Sequence, residues 1–310
     1  MNIISVLCFV LVVHNVASQP SGLLNCFTLY NDVSVTIEVS EKRNPKYEWL
    51  IILYALPNGN STLQTMGKKA FAADDWRFGI QHIKAQTSFL RKELPEKNIA
   101  VIYLENAYKS WPQWKIKHPA YATETQHIVD TVFNLFSGKK SLYLNGHSGG
   151  GRFIFSYLDC METIPSFVKN ITFLDSDYGY DATYFSKLLT WLKNNKDTRL
   201  NVFAYNDSVA LLNGKHLVSD TGGTWYRSRL LLRHLQSFMP FDKIREDSLL
   251  VYYSHNKRIR FYLKNNPEQR IFHTQQVELN GFIHSILIGT TKEEKRYRYF
   301  GQRAYTEFIE

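Results

Sequence analysis

Leu142-Tyr143-Leu144-Asn145-Gly146-His147-Ser148-Gly149-Gly150-Gly151-Arg152-Phe153 is the stretch that decides the fold. It reads as an apolar strand running straight into Gly146, then a glycine-rich turn with a serine at its centre, then a helix over 150–158. Within it, Gly146-His147-Ser148-Gly149-Gly150 matches Gly-x-Ser-x-Gly. Alone the pattern is weak, because two of its five positions are free. The strand before it and the helix after it give it weight, since a serine nucleophile held on a sharp strand-to-helix turn needs that context. Small neighbours let the helix pack close to the strand. The N–H after the serine then faces the site, and the helix N-terminus adds positive potential where an oxyanion would form. The competing reading is a glycine-rich turn with an idle serine.

Outward from this turn, strands alternate with helices. Short strands at 26–30 and 34–39 flank Asn31-Asp32 as a hairpin. A longer apolar strand over 47–56 stops at Pro57-Asn58-Gly59, a strong turn signal. Asp74-Asp75 offers an N-cap to a helix over 76–94. A buried strand at 99–104 and a helix at 123–137 lead to the turn. Beyond it come a strand at 171–174, a helix at 184–194, a strand at 200–205 and a helix at 225–238. Helices between buried strands predict an α/β fold with a mostly parallel sheet covered on both faces. The last third departs from this rhythm: strands at 249–254 and 259–264 read as a hairpin inserted before a final strand at 271–279.

A serine nucleophile needs a base, and the base needs an orienting acid. In this kind of fold the chain order is serine, acid, histidine. Asp207 follows the 200–205 strand and His284 follows the 271–279 strand, so both are expected at strand C-terminal ends, where ligands of open α/β sheets bind. Asp177 and Asp175, after the 171–174 strand, are the alternative acids. Among other histidines, His147 lies inside the turn and is expected to point away, His273 sits early in the last expected strand, and His82 lies on a helix.

The two-strand start, the 47–56 strand ending in Pro57-Asn58-Gly59-Asn60, the Gly146–Gly150 turn, Asp207 and His284 together resemble the α/β-hydrolase superfamily over nearly all of the chain past residue 18. Ala55-Leu56-Pro57-Asn58-Gly59-Asn60, Thr221-Gly222-Gly223-Thr224-Trp225-Tyr226-Arg227 and Asn280-Gly281-Phe282-Ile283-His284-Ser285 resemble segments of a group of secreted, mostly bacterial α/β hydrolases. The resemblance implies a fold and a reaction type: acyl transfer through a Ser148–His284–Asp207 triad. It also implies an oxyanion hole from the N–H of Gly149 and a donor at Asn58 or Gly59, in the loop where lipases carry an HGGG-type motif. Trp225, Tyr226 and Arg227 fall where such folds roof the site, as a substrate pocket or simply as an aromatic helix start. Trp111 and Trp114 suit either a carbohydrate ester or the core.

Composition sets the bounds. With 310 residues, 44% apolar and 21% charged, the chain has the make-up of a globular domain with a full core. A net charge of +9 favours anionic partners. No nucleic-acid motif accompanies it, and the basic run at 295–303 reads as a solvated helix face. Residues 3–13 are apolar apart from Ser5, too short to span a bilayer but suited to an export signal, with Val16-Ala17-Ser18 before a cut at Gln19. The expected layout is a signal peptide at 1–18 and one domain at 19–310, secreted or periplasmic, without a stable membrane span. Cys26 and Cys160 then remain, and the fold argues against their pairing. Asn60, Asn170 and Asn206 open glycosylation sequons, and a glycan at Asn206 would crowd Asp207. The reading is a secreted serine hydrolase of carboxylic esters, acting on a small-molecule or carbohydrate ester and needing neither metal nor organic cofactor. The alternatives are a non-catalytic binding module on the same fold, or a serine peptidase or amidase. Oligomeric state is not legible in the sequence.

Overall fold

The computed structural model describes residues 23–40 and 42–310; the expected signal segment at 1–18 lies outside them. Its sheet is built from runs of Val, Ile, Leu and Tyr buried on both sides, the pattern of parallel strands covered by helices. β1 (Leu23–Leu29) and β2 (Val33–Val39) form the expected opening hairpin. They are followed by β3 (Glu48–Ala55), the short helix α1 (Thr62–Met66), α2 (Ile83–Glu93) and β4 (Lys97–Asn106). Next come α3 (Trp111–Lys117), α4 (Tyr121–Asn134), β5 (Lys140–His147), α5 (Gly151–Cys160) and β6 (Val168–Leu174). The chain continues through α6 (Phe185–Asn194), β7 (Arg199–Tyr205), the two-residue strands β8 (Leu211–Leu212) and β9 (Lys215–His216), and α7 (Thr224–Gln236). It closes with β10 (Phe241–Glu246), β11 (Leu249–Ser254), β12 (Ile259–Lys264), α8 (Gln275–Glu278) and α9 (Gly281–Leu287).

Ten strands make one sheet in the order β1-β2-β4-β3-β5-β6-β7-β12-β11-β10. β4, β3, β5, β6, β7 and β12 run parallel, while the edges are antiparallel. Side chains alternate between two cores, as the strand period of two demands. Ile51, Leu53 and Ala55 face α4, α5, α6 and α7, through Ile128, Phe153, Leu188 and Leu231. Ile52 and Tyr54 face α2 and α9, through Ile83, Phe89, Phe282 and Ile283.

Three expectations are corrected. The helix expected over 76–94 is broken: Asp75 caps a 3-10 turn at Trp76–Gly79, the chain reverses through His82 at φ 47°, and only then does α2 begin. The hairpin at 249–264 is not an insertion. Its second strand, β12, is the last parallel strand, registered on β7 from Ile259↔Leu200 to Lys264↔Tyr205. β11 and β10, the latter not read from sequence, extend the sheet beyond it. Because β12 occupies the place beside β7, no strand forms over 271–279; that segment is a loop followed by α8, with Val277 buried in the second core.

Candidate active site

β5 ends at His147, and Ser148 starts a 3-10 turn that feeds α5. Ser148 has φ 54°, a left-handed conformation that costs a non-glycine residue and clusters at functional sites. The turn is sharp because the start of α5 presses on the end of β3: a Cβ at Gly150 would lie 2.1 Å from the Ala55 carbonyl oxygen. Ser148 is half-buried and opens into a cleft of about 310 Å³ shared with Asn58, Pro112, Gly149, Arg152, Ser176, Tyr178 and Gly179.

The neighbouring strand supplies an acid. His147 and Leu174 are the last registered pair between β5 and β6, so Ser148 and Asp175 leave the sheet one residue past the same rung. Asp175 is fully buried at φ 47°. Its Oδ2 lies 2.5 Å from His273 Nδ1, and the His273 side chain is 24% exposed. The His273 ring stands 4.5 Å from the ring of His147, the residue immediately before Ser148. The loop that carries His273 comes off β12 and is braced by Asn266, whose Nδ2 donates to the carbonyls of Asn206 and Arg270. His147 braces it too. Its Nε2 donates to the His273 carbonyl at 3.1 Å, so its Nδ1 is the acceptor facing Gln81 Nε2 at 3.4 Å. Burial first, then the charge of His273, holds His147 well below the usual histidine range, which keeps it in that neutral tautomer. With Nδ1 turned to Asp175, His273 is left with Nε2 as its free basic nitrogen.

Two further carboxylates stand behind this pair. Asp207 accepts from the backbone N–H of Thr224 at 2.8 Å and of Trp225 at 3.3 Å, and so caps α7 from outside the helix. Glycine at 223 permits this, since a Cβ there would fall 2.3 Å from the carboxylate. The Thr224 hydroxyl donates to Asp175 Oδ1 and stands 3.2 Å from Asp207 Oδ2, tying the two acids together. Burial, then the charge of Asp175, pushes Asp207 up to about 6. Asp177 accepts from Ser228 Oγ at 2.8 Å, and burial holds it well above the usual carboxylate range.

The structure thus separates the residues expected to act together. Ser148 and Gly149 share the cleft, and Asp175, one of the alternative acids, is the one paired with a histidine. His284 is not at this edge. It lies on the opposite face of the sheet from α5, fully buried on α9, stacked on Tyr299 at 5.2 Å with Nδ1 2.9 Å from the Tyr297 hydroxyl. The reason is the missing strand at 271–279: a loop and α8 occupy that segment, α9 follows, and every residue from Gly281 to Leu287 is buried. Burial and the nearby Arg260 charge hold His284 well below the usual histidine range. Asp207 serves α7 and Asp177 serves Ser228, and neither meets a histidine. A strand at 271–279 would hold His273 near its start, far from the sheet's C-terminal edge, which is why the sequence does not point to it. The one signal that could have found it is the spacing of a buried apolar strand at 259–264 before it.

The oxyanion expectation divides as well. Gly59 N–H is committed to the Lys109 carbonyl at 2.8 Å, so Gly59 is not a free donor. Asn58 faces Gly149 closely: a Cβ on Gly149 would stand 1.9 Å from Asn58 Oδ1. Trp225, Tyr226 and Arg227 form the first turn of α7 and do not line the cleft. Trp225 joins Arg229, Leu232 and Tyr252 in a separate groove, and Arg227 donates to the Tyr180 carbonyl. Trp111 and Trp114 are core, with Trp111 packed on Phe153. Cys26 and Cys160 are free thiols, the latter beside Gln126. Asn170 is buried with its amide on the Ser285 carbonyl, so its sequon is closed to a glycan in the folded chain. Among the described residues, no helix is long and apolar enough to cross a membrane.

A sheet ordered in this way, with a left-handed serine between its third parallel strand and the following helix, defines the α/β-hydrolase fold. Solved structures similar to this chain include a thermostable esterase, 14% identical, with a TM-score of 0.51; the match covers 86% of this chain but 62% of that one, so this chain spans less than two thirds of the esterase's length. They also include a structure described as FAE, 10% identical over 86% of this chain and 91% of the other with a TM-score of 0.49. A third is mouse alpha/beta hydrolase domain-containing protein 10, 9% identical over 86% and 97% with a TM-score of 0.41. At such identities the likeness concerns the fold. No protein-family model matches the sequence, and no curated protein matches it.

Proposed function

We propose that the chain is a serine hydrolase of carboxylic esters, with Ser148 as nucleophile, His273 as general base and Asp175 as the acid that orients it. The observation that carries this reading is the 2.5 Å contact between Asp175 and His273, at the sheet edge where Ser148 is held in its left-handed turn. Ser148 Oγ attacks the carbonyl carbon and His273 Nε2 takes its proton. The tetrahedral oxyanion is met by the N–H of Gly149 and a donor of Asn58. Collapse expels the alcohol as His273 returns the proton, and water repeats the cycle on the acyl-enzyme. Asp175 keeps the proton on Nδ1 and balances the imidazolium. Asp207 acts at a distance, by anchoring Thr224, whose hydroxyl holds the other oxygen of Asp175. An ester fits better than an amide because an alkoxide leaves with less acid assistance than an amine. We assign residues 1–18 to export, which puts the enzyme outside the cytoplasm.

The test is a fluorophosphonate probe and a panel of p-nitrophenyl acyl esters. We expect the wild type to be labelled and active, Ser148→Ala to lose both, and His273→Ala and Asp175→Asn to lose about 10³-fold or more in kcat. Turnover retained in Ser148→Ala would overturn the mechanism. A folded wild type that neither labels nor turns over any ester would favour a binding module on the same fold.

A further inference from the structure

We propose that Arg152 makes the Ser148 cleft selective for esters that carry an anionic group, carboxylate or phosphate, a few ångströms from the scissile carbonyl. The proposal rests on the serine hydrolase reading above and names its substrate class.

Arg152 stands one helical turn beyond Ser148 on α5 and lines the same cleft. It lies against the cleft wall: a Cβ added to Gly179 would be 2.9 Å from Arg152 Nη1, so the absence of a side chain there leaves room for the guanidinium. It is half-buried, yet among the described residues it forms neither a hydrogen bond nor an ion pair. Each of the other half-buried arginines has at least one partner for its guanidinium. Arg77, Arg91 and Arg303 hold the carboxylates of Asp75, Glu38 and Glu278, and Arg199, Arg227 and Arg258 donate to backbone carbonyls. Among the described residues no carboxylate pairs with Arg152, Asp181 included, which lies two residues past Gly179 and accepts from Thr183. Asp175 is held by His273 and Thr224, Asp177 by Ser228, and Asp159 by Lys115, Tyr121 and Tyr184.

A guanidinium kept in a narrow cleft without a counter-charge is costly, because it gives up part of its hydration and gains no partner. Its fork of donors matches the paired oxygens of a carboxylate or phosphate. An anion there would be fixed at one end by Arg152 and presented at the other to Ser148 and Gly149. The positive charge would also steer an anionic substrate into the cleft, the more so on a chain of net charge +9.

The experiment compares three p-nitrophenyl esters of similar length: the butyrate, the glutarate monoester and the 4-phosphonobutyrate. The wild type is expected to prefer the two anionic esters over the butyrate in kcat/KM. Arg152→Ala is expected to reduce that preference about 10- to 100-fold, chiefly through KM, with Arg152→Lys restoring part of it and Arg152→Glu inverting it. The ratio of glutarate to phosphonobutyrate turnover identifies which anion the site favours. A wild type without preference for either anion, or an unchanged preference in Arg152→Ala, overturns the proposal while leaving the hydrolase intact. If no ester is turned over, the function fails instead. The site is then read by calorimetric titration of glutarate and of inorganic phosphate into the wild type and Arg152→Glu, where equal affinities in the two proteins would overturn it.

Discussion

His273 and His284 carry the same side chain and have opposite surroundings. His273 is partly exposed, pinned by Asp175 through Nδ1, and keeps Nε2 free. His284 sits among Phe203, Tyr262, Tyr297 and Tyr299, where its Nε2 finds no partner. One is therefore expected to matter for chemistry and the other for packing. His273→Ala should lower ester turnover about 10³-fold or more while the protein still folds. His284→Ala should leave a cavity in the second core and cost about 2–4 kcal/mol of stability in urea, with the serine still labelled by fluorophosphonate in the folded protein. Activity lost in His284→Ala at full stability would return the base to α9. At this scale the sequence was partly legible. The sharp turn at Ser148 is legible from its neighbours. The placement of the two histidines is not, because it depends on which strand precedes them.

At the scale of the element, the decisive feature is the fit of the start of α5 against its surroundings. The pattern of glycines showed where a sharp turn would lie, and the structure shows what it turns against: the Ala55 carbonyl for Gly150 and Asn58 for Gly149. Gly150→Ala must displace the end of β3 or the start of α5. It is expected to cost about 1–3 kcal/mol and to slow probe labelling of Ser148 by moving the turn. Equal labelling rates for wild type and variant would show that the turn tolerates the shift. At the start of α7 the sequence leaves two readings open, a helix start or a pocket, and the structure has the helix start. What makes Thr221–Arg227 distinctive is that Gly223 lets the Asp207 carboxylate approach the first N–H groups of α7. That contact joins residues distant in sequence and cannot be seen in either segment alone.

For the molecule as a whole, the clustering of Asp175, Asp177 and Asp207 on one edge of the sheet makes stability depend on pH. Burial raises Asp207 from 3.8 to about 6. The folded chain therefore holds this proton where the unfolded chain has released it. The stabilisation is fully present below about pH 4 and is lost as pH rises through about 6, amounting to about 3 kcal/mol. Asp177 is shifted in the same direction. Asp207→Asn keeps an acceptor for the Thr224 N–H but has no proton to release. Its stability relative to wild type, measured by urea denaturation, should rise by about that amount between pH 4 and pH 7. A difference that stays constant across this range would show that Asp207 is ionised throughout.

The sequence by itself determined what short-range pattern can carry. Alternating apolar strands and helices specify a parallel sheet covered on both faces, and Gly146–Gly150 between a strand and a helix specifies a sharp turn with Ser148 at its tip. Both rest on local periodicity and on the sterics of small residues, which are written within a few positions. Only the tertiary structure decided which strand stands beside β7, and with it which histidine and which aspartate meet. β12 took that place, the segment after it became a loop and two helices, and His273 came to Asp175 while His284 went into the core. The physical reason is that strand order and burial are set by competition among distant segments for one sheet edge and two core faces, and no window of the sequence contains that competition.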